Sequence, residues 1–114
     1  MAINYSEGAP TIGVTEYFLV SASTTQTPQT TEGTVQVFID TAAVAAGDQF
    51  LVRAYEKTRT ADTQRRIGGW FITGTQSDPQ WVSAAFVLSR GWEWSITKIA
   101  GTDRALPYSV RRIA

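Results

Sequence analysis

The stretch GWEWSITKIAGTDRALPYSVRRI, residues 91–113, decides the fold. Apolar side chains occupy alternate positions at 92–96 and again at 106–110, so each half of the stretch has one apolar face when it is extended. Gly-Thr-Asp at 101–103 separates the halves and is typical of a turn. We therefore expect two strands joined in a hairpin at the centre of a β-sheet core, with Asp103 and Arg104 locking the turn.

The same two-residue period recurs through the rest of the chain. It is clearest where Val35, Val37 and Ile39 share one face of an extended segment and polar residues share the other. Glycine, proline and aspartate separate the periodic runs, and no run predicts a long helix. Further strands are expected at residues 14–23, 34–40, 49–57, 64–73 and 81–89.

The pattern predicts an all-β fold, a single antiparallel β-sandwich of about seven strands. The segment TAAVAAGD, residues 41–48, is expected to form one short helical turn that carries the chain between sheets. Residues 1–13 are small and polar, which is typical of an extended N-terminal arm. The β-sandwich domain is then residues 14–114.

The composition excludes several kinds of chemistry. The 114 residues include no cysteine and no histidine, which removes disulfides, thiolate nucleophiles and the commonest transition-metal ligand. Ten basic and ten acidic residues cancel, so no net field attracts nucleic acid or an anionic membrane. Residues 1–13 lack both a basic region and an apolar core, so we expect no secretory signal there, and no apolar run approaches the ~20 residues of a membrane span. We expect synthesis in a cytoplasm and a protein that uses no catalytic residue, cofactor or metal ion.

Three groups of residues permit other readings. The four tryptophans would form a sugar-stacking platform if they were exposed, although tryptophans at alternating strand positions usually belong to a core. The arginine pairs at 65–66 and 111–112 would form an anion site, but they are more typical of solvated edges and local ion pairs. The carboxylates are scattered, so their spacing gives no positive signal for a calcium loop or a glycosidase pair.

Some apolar strand residues lie opposite the faces that we assign to the core. Contiguous exposed apolar area of this kind usually marks a surface that binds a partner. The alternative is that the N-terminal arm covers it. The candidate interface residues are Tyr17, Leu19, Phe38, Leu51 and Tyr55.

Two segments carry motifs that recur in a known group of proteins. In FIDTAAVAAGDQFLVRAYEK, residues 38–57, an aspartate precedes a small-residue turn and a Gly-Asp leads into an apolar strand. Residues 91–113 contain a Gly-Trp, a Gly-Thr-Asp-Arg turn and a closing Pro-aromatic-Ser-hydrophobic-Arg, with Tyr108 where the group's pattern has Trp. In these motifs the chain resembles small virion-associated proteins of tailed bacteriophages.

The resemblance implies a non-enzymatic structural protein of the phage virion, specifically a capsid decoration or cement protein that binds the capsid exterior. The implied partners are the major capsid protein or another virion protein, together with further copies of the chain in a homo-oligomer, with a trimer favoured. Many weak contacts would then act together through multivalency.

Two other functional classes stay open from the sequence. A tail or head-to-tail connector component has the same composition and differs in the region of the particle that it occupies. A glycan-binding or host-surface module needs exposed tryptophans.

Overall fold

Alternation of branched or aromatic residues with polar ones produces β-strands along the chain. The computed structural model describes residues 2–114, and the regular structure in that range is all strand. This part of the chain has no helix with the length and apolarity that crossing a membrane requires. In chain order the strands are β1 (Ile3–Gly8), β2 (Thr11–Ile12), β3 (Tyr17–Phe18), β4 (Gly33–Asp40), β5 (Gln49–Glu56), β6 (Arg65–Thr73), β7 (Gln80–Val82), β8 (Phe86–Leu88), β9 (Glu93–Ala100), β10 (Arg104–Ala105) and β11 (Tyr108–Ile113).

The strands form three antiparallel sheets. Sheet I has the order β1-β11-β4-β7, and β8 also pairs with β4. Sheet II has the order β3-β9-β5-β6, and β10 and β2 form a separate two-stranded ribbon. The prediction of an all-β antiparallel fold is confirmed. The expected strand count of about seven is too low, because β1 was assigned to an arm and the other additional strands have only two or three residues, too few to show a two-residue period.

One hydrophobic core lies between sheet I and sheet II. Its aromatic centre is Trp94 of β9, whose ring stacks on Trp70 of β6 at 5.6 Å between centroids and meets Phe86 of β8 edge-on at 5.5 Å. Because Phe86 belongs to sheet I and the two tryptophans to sheet II, this cluster joins the two layers. The aliphatic core residues are Ile12, Leu19, Val35, Val37, Ile39, Val44, Val52, Ile72, Leu88, Ile96, Leu106 and Val110.

The two C-terminal strands lie in different sheets, so the expected hairpin is wrong. β9 is an inner strand of sheet II, whereas β11 is an inner strand of sheet I. Between them, Leu106 N–H donates to the Pro10 carbonyl and the Pro107 carbonyl accepts from Asp40 N–H. These bonds hold the segment that crosses from sheet II to sheet I. β9 and β11 are therefore each inner strands of their own sheet and do not pair with each other.

Residues 41–48 form two successive turns and not the expected helical turn. Val44 N–H donates to the Thr41 carbonyl and Asp48 N–H donates to the Ala45 carbonyl, each at 3.0 Å. The segment is too short to repay the cost of helix nucleation. The Asp48 carboxylate also accepts from Ala45 N–H at 2.9 Å, which stabilises the second turn.

The expected N-terminal arm is in fact part of the sheets. β1 pairs with β11 along its whole length, from Ile3 opposite Ile113 to Gly8 opposite Tyr108, and β2 pairs with β10. Ladder hydrogen bonds are made by the backbone, so a strand whose side chains are mostly exposed forms without burying an apolar face that the sequence could reveal. Met1, which the prediction included in the arm, lies outside the described residues.

Candidate functional site

The five predicted interface residues do not form one surface. Phe38 lies half-buried on the outer face of sheet I. Leu19 is only 1% exposed and belongs to the core, and Leu51 is only 5% exposed on β5. Tyr17 is half-buried and packs edge-on against Tyr108, while Tyr55 is half-buried beside Phe18.

The outer side of sheet II is closed by the chain around β3. Phe18 pairs with Ser95 there, and its ring lies 6.5 Å from that of Tyr55. The Glu16 carboxylate accepts hydrogen bonds from Tyr55 Oη at 2.5 Å, from Ser95 Oγ and from Arg53 Nη1 at 3.4 Å. The sequence analysis left open that residues 1–13 cover the outward apolar residues. The segment that covers the outer side of sheet II is instead the chain around β3, which follows residues 1–13.

The Glu16 cluster has no free reactive group. Burial, followed by the neighbouring Glu16 carboxylate, raises the pKa of the Tyr55 hydroxyl, so that hydroxyl stays protonated at neutral pH. Its proton is donated to Glu16, and the Ser95 side chain is fully buried. The cluster therefore ties the β3 region to sheet II and does not form a nucleophilic site.

Glu93 is a buried carboxylate that fixes the loop after β3. One of its oxygens accepts from the backbone N–H groups of Val20 and Trp94, and the other accepts from the backbone N–H and the hydroxyl of Ser21. Burial raises the pKa of Glu93, and these four donors act in the opposite direction. Both oxygens of the Glu93 carboxylate accept hydrogen bonds from the protein itself, which indicates a structural role.

Asp48 organises the turn that the sequence singled out at residues 101–103. Its carboxylate accepts from Thr102 N–H at 3.0 Å, from Ala45 N–H and from Arg104 Nε at 2.7 Å. These hydrogen bonds lower the pKa of Asp48 to about 2. Asp103 pairs instead with Lys98 at 2.6 Å. Arg104 therefore does hold the turn, but its partner is an aspartate distant in sequence.

The described residues offer no cluster for metal binding. Among residues 2–114, no three acidic side chains lie close enough together to hold an ion. Both oxygens of Asp48 and both oxygens of Glu93 accept hydrogen bonds from the protein itself, and Glu16 accepts three through Oε2.

The outer face of sheet I carries the largest set of exposed apolar side chains on one sheet. In an antiparallel ladder, directly opposed residues share a face, and side chains alternate between faces along each strand. Val35, Val37 and Ile39 of β4 point to the core, so Phe38 and the residues in register with it point outward. We call this set the apolar face: Ile3, Tyr5, Phe38, Val82, Val87 and Ile113.

Exposure on the apolar face is high for a domain of this size. Val87 is 83% exposed and Tyr5 is 58% exposed, with Ile3 and Val82 also largely exposed. Isolated exposed apolar residues are normal, but a contiguous set on one flat sheet is typical of a binding surface.

Arg111 lies at the centre of the apolar face. Its guanidinium carbon is 3.8 Å from the centroid of the Phe38 ring and 5.9 Å from that of Tyr5. Arg111 Nε–H donates to Ser109 Oγ at 3.2 Å. Stacking of this kind holds the guanidinium flat on the sheet and leaves its Nη N–H groups for an acceptor from outside. A shallow depression of about 230 Å³, lined in part by Phe38, Asp40 and Gln80, lies beside it.

Only part of the apolar face is predictable from the sequence. Phe38 was placed on an outer face because it alternates with buried valines. Val87 has the same signal, since it alternates with Phe86 and Leu88, but the apolar run at 81–89 conceals the period. Ile3 and Tyr5 reach the face only because β1 adds to β11, and that pairing leaves no local pattern.

Comparison with known proteins identifies no relative: no family model matches the chain, and no curated protein is similar to it.

Proposed function

We propose that this protein is a non-enzymatic structural component of a tailed-phage virion, a decoration protein that binds the capsid exterior through the apolar face. The observation that carries the proposal is the exposed apolar set on sheet I with Arg111 at its centre. The motifs at residues 38–57 and 91–113 support it by their resemblance to small phage virion proteins. In this proposal sheets I and II form a β-sandwich that holds the face rigid.

The composition of the face suits protein recognition. Aromatic residues and arginine are enriched at the centre of protein interfaces, whereas lysine and acidic residues are depleted there. On sheet I, Tyr5 and Phe38 lie against Arg111 beside the polar Gln36 and Ser109, while Glu7 and Asp40 lie toward the margins of the face. The matching surface on the capsid is apolar, with a carbonyl or carboxylate oxygen that accepts from Arg111.

Multivalency explains how a small face is sufficient. One such face provides modest affinity, but copies joined in a closed homo-oligomer bind a repeating shell at many points at once. The zero net charge fits this mode, because recognition then depends on shape and local contacts and less on long-range attraction.

A glycan-binding function has less support. Sugar stacking requires an exposed indole face. Trp92 and Trp94 are buried, and Trp70 and Trp81 are half-buried against the core.

Co-sedimentation with capsids tests the proposal. Purified protein is mixed with capsids of the tailed phage from which the sequence derives, and the bound fraction is measured. Val87→Asp places a charge on the apolar face, and Phe71→Asp places the same charge at an exposed apolar position of sheet II. We expect Val87→Asp to weaken binding at least about tenfold, in the range of an interface hot spot, and Phe71→Asp to leave it unchanged.

The other outcomes of these experiments are equally specific. Absence of co-sedimentation, or equal loss in both variants, would overturn the role of the apolar face. Immunogold labelling of virions then locates the protein: label over the head supports decoration, label at one vertex or on the tail assigns it to a connector or tail, and virions without label remove the virion assignment.

A further inference from the structure

The outer edge of β1 is a free strand edge of sheet I. We propose that it pairs with the β1 edge of a second copy of this chain, in a two-fold antiparallel ladder centred on Tyr5. The pairing goes beyond the proposed function and holds whether or not the protein binds capsids.

The ladder between β4 and β11 determines which backbone groups of β11 face β1. Asp40 N–H donates to the Pro107 carbonyl at 2.8 Å, so this pair is a hydrogen-bonded pair of the β4–β11 ladder. Hydrogen-bonded and non-hydrogen-bonded pairs alternate along an antiparallel ladder. The backbone groups of Ser109, Arg111 and Ile113 therefore face β4, and those of the alternate β11 residues face β1.

The same alternation of hydrogen-bonded pairs continues from β11 into β1. The β11 residues whose groups face β1 are opposite Asn4, Ser6 and Gly8, so those three use their N–H and C=O groups in the ladder with β11. The N–H and C=O groups of Ile3, Tyr5 and Glu7 consequently point away from β11, toward the free edge. Their side chains lie on the outer face of sheet I.

These outward groups match a second copy of themselves. When Tyr5 is opposite Tyr5 of the second copy, Ile3 is opposite Glu7 and Glu7 is opposite Ile3. All three residues of each copy then form hydrogen-bonded pairs, which gives a ladder of about six backbone hydrogen bonds. The two-fold axis passes between the two Tyr5 residues, as an isologous dimer interface requires.

The other sheet edges are poorer partners. Natural edge strands are protected by shortness, charge, proline or a bulge. β3 has two residues and β7 and β8 have three each, while β6 carries Arg65 and Arg66 next to a register shift. β1 has six residues, with no proline, lysine or arginine among them. Of these edges, β1 is therefore the one with the fewest features that prevent another strand from pairing with it.

The pairing also explains the position of the apolar face. Joining two copies at β1 places Ile3 and Tyr5 of both on the same side of one continuous sheet. The two apolar faces then form a single surface, with the β1 strands at its middle. A dimer replaces the trimer that the family resemblance implies.

The oligomeric state of a matched pair of variants tests the ladder. Glu7→Pro removes an outward N–H that β11 does not use, so the monomer fold tolerates it, whereas Glu7→Ala keeps that N–H. By sedimentation equilibrium we expect a dimer for the wild type and for Glu7→Ala, and at least about tenfold weaker association for Glu7→Pro. Far-UV circular dichroism checks that both variants keep their strands.

Cysteine cross-linking tests the register, because the native chain has no cysteine. Tyr5→Cys brings two Cα atoms to ~5.5 Å across the axis, within reach of a disulfide. Ile3→Cys places them about four residues, or ~13 Å, apart, which is too far. We therefore expect a covalent dimer from Tyr5→Cys and none from Ile3→Cys, and a covalent dimer again from the double variant Ile3→Cys/Glu7→Cys.

Each contrary result is decisive against the ladder. A wild-type protein that stays monomeric at every concentration, a trimer, or a dimer that Glu7→Pro leaves intact would overturn it. Cross-linking of Ile3→Cys as fast as Tyr5→Cys would overturn the register. Capsid co-sedimentation is measured separately, so failure of the dimer and failure of the proposed function are distinguishable.

Discussion

Replacing Trp92 and Trp94 by phenylalanine should give very different losses of stability. Both tryptophans are almost completely buried, 2% and 0% exposed, and both come from the same short stretch of chain. Trp92 Nε1–H donates to the Thr31 carbonyl at 2.9 Å. Trp94 Nε1–H is buried and has no acceptor among residues 2–114. The same substitution therefore removes a hydrogen bond at one site and an unsatisfied donor at the other.

The magnitude follows from these two hydrogen-bonding states. Each substitution removes the same atoms, so the transfer and cavity costs are similar and largely cancel in the comparison. Trp92→Phe additionally loses one hydrogen bond, worth about 1 kcal/mol. Trp94→Phe relieves a desolvated donor, worth about 1–3 kcal/mol, and its phenyl ring can still stack on Trp70. We expect Trp92→Phe to cost about 2–4 kcal/mol more than Trp94→Phe.

Urea unfolding followed by far-UV circular dichroism measures both costs without relying on tryptophan fluorescence, which the variants alter. Equal slopes with urea concentration show that both variants unfold from equally compact states. If Trp94→Phe costs as much as Trp92→Phe, or more, the assignment of an unsatisfied indole N–H in the core is wrong.

Three further predictions concern glycine and carboxylate positions. Gly47 and Gly101 share a φ of 89°, but an added Cβ meets nothing within 4 Å at Gly47, whereas at Gly101 it comes within 2.6 Å of Asp48 Cα. In thermal unfolding, Gly47→Ala should therefore lower the stability by about 1–2 kcal/mol and Gly101→Ala by clearly more. Equal losses of stability would contradict the close packing at Gly101. The pKa of Asp48 falls from 3.8 to about 2 on folding, so its contribution to stability is complete above pH 3.8 and is lost as the pH falls toward 2. Asp48→Asn should lack that acid-dependent loss, and an unchanged acid slope would show that Asp48 is not responsible. Burial raises the pKa of Glu93 above 4.5, so the wild type should lose stability relative to Glu93→Gln as the pH rises from 4.5 through the folded-state pKa. A gain in stability relative to Glu93→Gln over that range would reverse the sign.

The long periodic strands were predictable because their side chains determine their position. Val35, Val37 and Ile39 alternate with polar residues and are all buried, since only one register puts the apolar set into the core. The same reasoning placed Phe38 on an outer face, where the structure has it.

Other parts of the fold depend on contacts that no local pattern contains. β1 is held by backbone hydrogen bonds to a strand distant in sequence, and its mostly exposed side chains gave no sign of that pairing. Leu51 and Leu19 were assigned outward because the pattern does not show which segments fold over sheet II. The partner of Arg104 is Asp48, and nothing near either residue indicates that pairing. The burial of Leu19 and Leu51 depends on tertiary contacts that the sequence pattern does not contain.

The place of β11 between β1 and β4 also sets the order in which the chain can fold. Ile3 pairs with Ile113, so β1 has no strand to pair with until almost the whole chain has been synthesised, and sheet I is incomplete until then. On a ribosome that adds roughly 5–20 residues per second, the first strand remains unpaired for on the order of 5–20 s. Pairing across such a separation is entropically slow, which makes β1 a late element to dock during refolding. A newly made chain can therefore complete the β4–β11 ladder first and acquire its outermost strand last.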